Sequence, residues 1–312
     1  MAYRFSNPDK AHRPHGAGAI LRWGLWDPLV GRRRTSPPGP PAPRVDPDLT
    51  LIHEDSDRPR LTWIGHASFL LQIGGRAILI DPVFARRVGW VYRRYGEPGL
   101  LPGQLPPLVA GLVSHNHYDH LDLPSLRALA ESVPLFVPSG LGSYLRRRLR
   151  QPLAELDWWE STTVGGVTMT LVPSRHWSRR RIFDTNRTSW GGFVVEANGH
   201  AVYHAGDTAW FDGFSEIGER FPDLLAAILP IGGYRPAWFM EHHHLNPEQA
   251  GEAFRLLGAR HLIPMHWGAL QLTDEPLAEP AERLREWWRQ AGSLDGKRLS
   301  ILAVGETVIL GS

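Results

Sequence analysis

The chain has no cysteine among its 312 residues. That excludes a disulfide framework, a thiolate metal site and a cysteine nucleophile, and it leaves the fold indifferent to redox compartment. Lysine is almost missing as well: Lys10 and Lys297 are the only two, so arginine carries nearly all the positive charge. The net charge is only +2 and there is no extra basic insert, so nucleic acid is not an expected partner. Apolar runs such as Leu224 to Ile231 fall far short of the roughly 20 residues that span a bilayer. The opening MAYRFSNPDKAHRPHG has neither the basic start nor the apolar core of a secretory signal. Cytoplasmic residence is therefore expected, with any membrane contact peripheral and at the inner surface.

What the chain does have is histidine, concentrated where chemistry can use it. Ser114 to Asp122 reads SHNHYDHLD, directly after the apolar run Leu108 to Val113, which is expected to be a short buried strand. On a locally extended backbone His115 and His117 point the same way and can close on one ion. Asp119 and His120 leave on a turn that can aim at a second. Imidazole with carboxylate suits zinc, and also iron or manganese.

Later residues of metal-binding type stand where strands run out: His176 in VPSRHW, His204 and Asp207 in YHAGD, and His266 in IPMHWG. Singly, each reads as a core histidine or a turn residue. Together with the first cluster they give seven ligands, His115, His117, Asp119, His120, His176, Asp207 and His266, enough for two ions with a shared carboxylate and a bridging water. His204 is expected to be a bystander. Asp81, closing a hairpin arm, is placed to orient ligands by hydrogen bonds. His66 in GHAS reads equally as a rim residue or as packing beneath the site.

The pattern along the chain separates residues 1–58, an irregular wrapping segment with the polyproline-like spacer SPPGPPAP at Ser36 to Pro43, from 59–312, where strands and helices alternate. The alternation predicts α/β layering. Helices are expected at Leu123 to Glu131, Leu141 to Leu149, Pro247 to Leu257 and Pro276 to Gln290, and closing strands at Leu299 to Val304 and Thr307 to Leu310. The stretch Ala19 to Leu29, AILRWGLWDPL, offers an apolar surface that either packs onto the main domain or lines a lipid-facing entrance. Arginine clusters at Arg32 to Arg34, Arg146 to Arg150 and Arg179 to Arg181 are solvated surface or anion contacts. Trp177, Trp210, Phe211, Trp238, Phe239 and Met240 are either an apolar rim or ordinary core.

The motifs GHASFLL, ILIDPVF, SHNHYDHLD, SRHW, HAGDTAWF and MHWG resemble those of the metallo-β-lactamase-fold hydrolases, over about residues 60 to 310. With YRPAWFMEHHHLNPEQA, from Tyr234 to Ala250, the likeness narrows to the phospholipases D that hydrolyse N-acylphosphatidylethanolamine. The resemblance implies a four-layer αββα sandwich with the site at one edge. It implies one metal on His115, His117 and His176, another on Asp119, His120 and His266, and Asp207 between them. It also matches His244 to a histidine near the scissile phosphate, whereas His242 and His243 have no counterpart. Ala209, Trp210, Ala269 and Leu270 depart from the family on loops that shape the pocket.

A paired-ion site would generate hydroxide near neutral pH for in-line attack on a phosphodiester lipid, Asp119 or Asp207 directing its proton and His244 assisting at the phosphate. A lactonase or a soluble phosphodiesterase of the same fold is the alternative, and a metal- or lipid-binding protein without turnover a third. A homodimer is left open.

Overall fold

The structure is a computed structural model, and it describes residues 5–9, 14–33, 36–89, 92–181 and 183–311. Arg34 of the first arginine cluster and much of the opening stretch lie outside the described residues. Two seven-stranded mixed sheets form the centre. The first takes β1 (Arg60–Gly65), β2 (Ser68–Ile73), β3 (Arg76–Ile80), β4 (Leu108–Leu112), β5 (Leu135–Pro138) and β6 (Leu153–Leu156). The second takes β7 (Ser161–Val164), β8 (Val167–Val172), β9 (Gly192–Ala197), β10 (His200–His204), β11 (Leu224–Pro230), β12 (His261–Met265) and β13 (Arg298–Leu299). The last strand, β14 (Thr307–Ile309), returns to pair with β1. The orders are β14-β1-β2-β3-β4-β5-β6 and β13-β12-β11-β10-β9-β8-β7.

The period of two along the early strands explains the layers. Trp63, Phe69, Leu71, Ile78 and Ile80 enter the large core with Leu171, Phe193 and Tyr203 of the second sheet. Their neighbours Ile64, Leu70 and Leu79 face the other way, into a second core with Leu126 and Leu145 from the short helices Leu123–Arg127 and Gly142–Leu145. A strand apolar on both faces needs cover on both. On the far side, Gly213–Arg220, Pro247–Leu257 and Glu279–Gln290 supply Phe214, Phe254, Leu257 and Leu284 to the large core. Helix on sheet on sheet on helix is the four-layer αββα sandwich.

Local chemistry sets the element ends. Pro247–Leu257 starts with a reciprocal capping box between Asn246 and Gln249 and stops at Gly258, in the left-handed region with φ 67°. The expected helix Leu123 to Glu131 is shorter, because the Gln151 amide donates to the carbonyls of Leu126 and Leu129 and satisfies its end early. The expected helix Leu141 to Leu149 is regular only over Gly142–Leu145. The expected strand Leu299 to Val304 is also mostly absent: β13 ends at Leu299, because the chain there crosses from the second sheet to the first. An unexpected helical turn, Leu49–His53, is capped by Asp48.

Strands β3 and β4 run parallel, and β8, β10 and β12 share one direction in the other sheet. Their C-terminal ends thus gather Asp81, the SHNHYDHLD loop, His176, Asp207 and His266 at one edge of the sandwich. Among the described residues no helix is long and apolar enough to cross a membrane.

Candidate metal centre

Two groups of donor atoms meet at this edge. His115 Nε2 lies 2.8 Å from His117 Nδ1, His176 Nε2 lies 3.2 Å from the same atom, and both Nε2 atoms are 3.7 Å from Asp207 Oδ2. In the second group Asp119 Oδ2 is 3.6 Å from His120 Nε2 and 3.4 Å from His266 Nε2, and those nitrogens are 3.2 and 3.3 Å from Asp207 Oδ2. Donors at about 2.0–2.1 Å around a tetrahedral ion sit about 3.3 Å apart. The first group has that spacing with Asp207 Oδ2 as its fourth atom; in the second, Asp119, His120 and His266 have it, His66 completes a set of four donors, and Asp207 Oδ2 approaches His120 and His266. The structure therefore brings together all seven residues singled out from the sequence, in sets able to hold two ions.

The surrounding hydrogen bonds aim the nitrogens inward. Asp81, fully buried, accepts from the Ser114 amide at 2.7 Å, from Ser114 Oγ at 2.6 Å and from His120 Nδ1 at 2.7 Å. Because the Ser114 hydroxyl proton goes to Asp81, His115 Nδ1 donates to Ser114 Oγ, at 2.9 Å. His176 Nδ1 donates to the carbonyl of His243, also at 2.9 Å. Each bond fixes a tautomer whose Nε2 lone pair points at the centre. Gly206, with φ 59°, lets the AGD turn pass close to its neighbours: a Cβ there would meet Gly191 O at 2.7 Å and Ser114 Cβ at 2.9 Å.

Charge completes the fit. Burial penalises the Asp119 and Asp207 carboxylates, but the facing imidazoles, His120 first, hold both well below the usual carboxylate range. In return, and against burial, those carboxylates hold His120 well above its ordinary value and His266 up at about 9. His117 and His176 are pushed down to about 4 and about 3, chiefly by burial, and so are neutral at pH 7. His120 Nε2, His266 Nε2 and Asp207 Oδ1 are buried and make no well-directed hydrogen bond. One buried and one half-buried carboxylate, neutral imidazoles and orphaned inward atoms form a set that divalent cations satisfy.

Several neighbours support the site, and two of them, Asn7 and Arg180, could not be read from the sequence. His66, read from the sequence as either rim or packing, is buried, its Nε2 3.0 Å from Asp119 Oδ2 and its ring 4.1 Å from that of His266, so it lies beneath the site and within donor distance of the second group. The Asn7 amide donates to the carbonyl of His176 and its oxygen accepts from the amide of the same residue, at 2.8 and 3.0 Å. Arg180, from a cluster that reads as either solvated surface or an anion contact, reaches the carbonyls of Asn116 and Leu121 at 2.9 and 2.8 Å and straps the metal loop. Only convergence in space gives Asn7 and Arg180 a role. His204 keeps clear of the donor atoms: its Nε2 donates to Ala67 O at 3.0 Å and its Nδ1 accepts from the Gly206 amide at 3.1 Å, tying the Asp207 turn to the opposite sheet.

Of the three later histidines, His242 is exposed, whereas the His244 ring stands 5.3 Å from that of His176 and 5.0 Å from that of His266. Its Nδ1 is 3.9 Å from Asp207 Oδ2, and burial pushes its pKa down to about 3 despite that carboxylate. Trp177 packs on His117 at 4.7 Å. Phe211, Phe239 and Met240 are buried, so part of the expected rim is core.

Residues 76–267 match the model of the Beta-lactamase superfamily domain. Over 243 residues the chain is 35% identical to the N-acyl-phosphatidylethanolamine-hydrolyzing phospholipase D 1 of Caenorhabditis elegans, covering 72% of this chain and 68% of that protein. It is 34% identical to a UPF0173 metal-dependent hydrolase of Rubrobacter xylanophilus, over 70% of this chain and 85% of the other. Among solved structures, a possible metal-dependent hydrolase from Veillonella parvula superposes with a TM-score of 0.67 at 19% identity, covering 81% of this chain and all of that one, and shares the fold. With its sandwich and its two donor sets, the chain belongs to the beta-lactamase superfamily, as a metal-dependent hydrolase of the metallo-β-lactamase fold.

Proposed function

We propose that this hydrolase cleaves a phosphodiester lipid, N-acylphosphatidylethanolamine or a close relative, in the phospholipase D sense, giving phosphatidic acid and an N-acyl amide alcohol. The observation that carries the reading is His244, which lies outside the two four-atom sets, groups instead with Asp207 and His266, and stands over the Asp207 carboxylate between the sets. It is delivered by the Tyr234 to Ala250 stretch, which resembles the phospholipase motif, and the nematode relative's name supports the same substrate.

On this reading His115, His117 and His176 hold one ion, Asp119, His120 and His266 the other, and Asp207 both, with zinc favoured and iron or manganese compatible. Such ions supply Lewis acidity toward water and toward phosphoryl oxygens. Asp119 and Asp207, kept ionised, direct the proton of the attacking water. His244 is neutral in the substrate-free site, and a neutral imidazole still has one N–H to donate to a phosphoryl oxygen. A bound phosphate anion raises the imidazole's pKa and prepares it to protonate the leaving alkoxide.

The test is turnover by metal-loaded protein of N-acylphosphatidylethanolamine, a lactone and a soluble phosphodiester in parallel. Phosphatidic acid should be released, and His244→Gln should lower kcat about 100-fold or more while metal content stays unchanged. Lactone turnover without lipid turnover overturns the proposal.

A further inference from the structure

Among the described residues twelve large hydrophobic side chains are exposed, and five of them fall within ten positions: Leu21, Leu25, Trp26, Leu29 and Val30. The first four lie on one continuous helical run, Ala17–Leu21, a π-turn Arg22–Trp26, and Asp27–Leu29, and Val30 follows directly at its end. The run is fastened through its other side. Trp23 stacks on Phe239 at 4.9 Å, Arg33 covers Trp23 at 4.1 Å, and Arg33 also forms a forked ion pair with Asp274. Steps of four residues from Leu21 to Leu25 to Leu29 keep those side chains on one stripe, with Leu21 61% and Leu29 72% exposed. Scattered exposed leucines need no explanation, but an exposed stripe on an anchored helix marks an interaction surface.

Its place and its charge identify the partner. Phe239 is also stacked by His15 at 4.2 Å, and His15 meets the ring of His243, whose carbonyl orients His176. The run that carries the stripe is thus packed, through Phe239, His15 and His243, onto the residues that orient the metal centre. Between Pro14 and Arg44 the only acidic residue is Asp27, buried and paired with Arg22 at 3.3 Å, whereas Arg22 and Arg32 are exposed. Arg22 already has Asp27, but two copies of this chain docked stripe to stripe would set Arg32 near Arg32 with no further acid on the run to pair it. Anionic headgroups complement the exposed arginines.

We propose that the run Ala17–Leu29 is an interfacial helix that seats the metal centre on an anionic phospholipid bilayer, with Leu21, Leu25, Trp26 and Leu29 entering the acyl boundary and Arg22 and Arg32 at headgroup level. The biological use of this surface rests on the lipid reading of the site, but its existence is measured without turnover.

The experiment is flotation of full-length, metal-loaded protein with vesicles of phosphatidylcholine, with and without phosphatidylglycerol. Binding should be roughly tenfold or more tighter to the anionic vesicles, weaken with salt, and bring Trp26 within quenching range of brominated acyl chains. The double variant Leu25→Ser with Trp26→Ser should bind roughly tenfold or more weakly, with unchanged metal content and Tm. Failure of the wild type to float overturns the proposal, as does a double variant that floats as well. So does a wild type that self-associates without vesicles and is made monomeric by the same substitutions. Vesicle binding through the stripe without cleavage of N-acylphosphatidylethanolamine supports the docking surface and removes the substrate reading. Cleavage of detergent-dispersed lipid without vesicle binding does the reverse.

Discussion

Asp81→Ala probes the centre from one residue outside the donor sets. The carboxylate has no exposed surface and accepts from the Ser114 amide, the Ser114 hydroxyl and His120 Nδ1 at 2.6 to 2.7 Å. Each buried donor left without an acceptor costs about 1–3 kcal/mol, so three together, with partial relaxation, cost about 4 kcal/mol of stability. The metal effect is separate. Without Asp81 only the longer contact to Ser114 Oγ, at 3.3 Å, is left at His120 Nδ1, and the Ser114 hydroxyl is free to turn and donate to His115 Nδ1, reversing the bond that fixes the His115 tautomer. Loss of such an orienting partner weakens metal binding about 10- to 100-fold. Both ions should therefore bind more weakly, one through His115 and the other through His120. Asp81→Asn keeps an acceptor for the Ser114 amide but turns an N–H toward His120, so it should recover much of the stability and little of the affinity. Zinc titration of metal-free protein against a chromophoric chelator, alongside thermal unfolding, separates the two. Wild-type zinc affinity at both sites in Asp81→Ala would refute the reasoning.

Gly233 has φ 90°, and a Cβ there would lie 3.0 Å from the His244 ring. Gly233→Ala should lower kcat on the phosphodiester at least about tenfold with both ions retained, as read by turnover and elemental analysis. Arg180→Gln removes the strap across Asn116 and Leu121 and should lower stability by about 1–3 kcal/mol and loosen the metal loop, read as earlier unfolding and faster hydrogen exchange at residues 115–121. Metal-free protein should be most stable near pH 6.5. His117 and His176, lowered to about 4 and about 3, contribute stability that is lost as pH falls from the unfolded value toward those pKa values. His266, raised to about 9, contributes stability present below the unfolded value and lost as pH rises through about 9. Urea unfolding of chelator-treated protein at about pH 5, 6.5 and 8.5 checks this, and stability that climbs steadily to the highest pH would contradict it. Metal uptake at pH 7 should also release protons from His120 and His266, seen as a calorimetric enthalpy that depends on the buffer.

The layers were legible because β1 to β3 alternate two apolar faces, and the donor atoms were legible because each stands just past the end of a strand. Periodicity and strand termini are local properties. The length of Leu123–Arg127 was not legible, since the Gln151 amide that ends it comes from 22 residues or more downstream. Asn7 and Arg180 escaped for the same reason. One is 169 positions from the histidine it pins and the other about 60 from the loop it straps, and nothing in RFSNP or SRRRIF announces either partner.

The backbone around the centre adds a physical argument that composition hides. Three of the six non-glycine residues with positive φ among the described residues are His66, Asp81 and His266, at 57°, 44° and 62°. Each conformation costs about 1 kcal/mol or more and persists only where its surroundings over-determine it. Here they do: the His266 amide donates to His66 O, Trp63 Nε1 donates to the same carbonyl, and the Asp81 amide donates to Leu112 O. Glycine would relieve the strain at any of the three but would remove the imidazole or carboxylate that the second donor group uses. Strain retained at two imidazoles and the carboxylate between Ser114 and His120 is the pattern expected where side-chain chemistry, not chain reversal, decides the residue. It also accounts for why these three positions are not themselves glycine or asparagine, although Gly65 and Gly268 stand close to two of them.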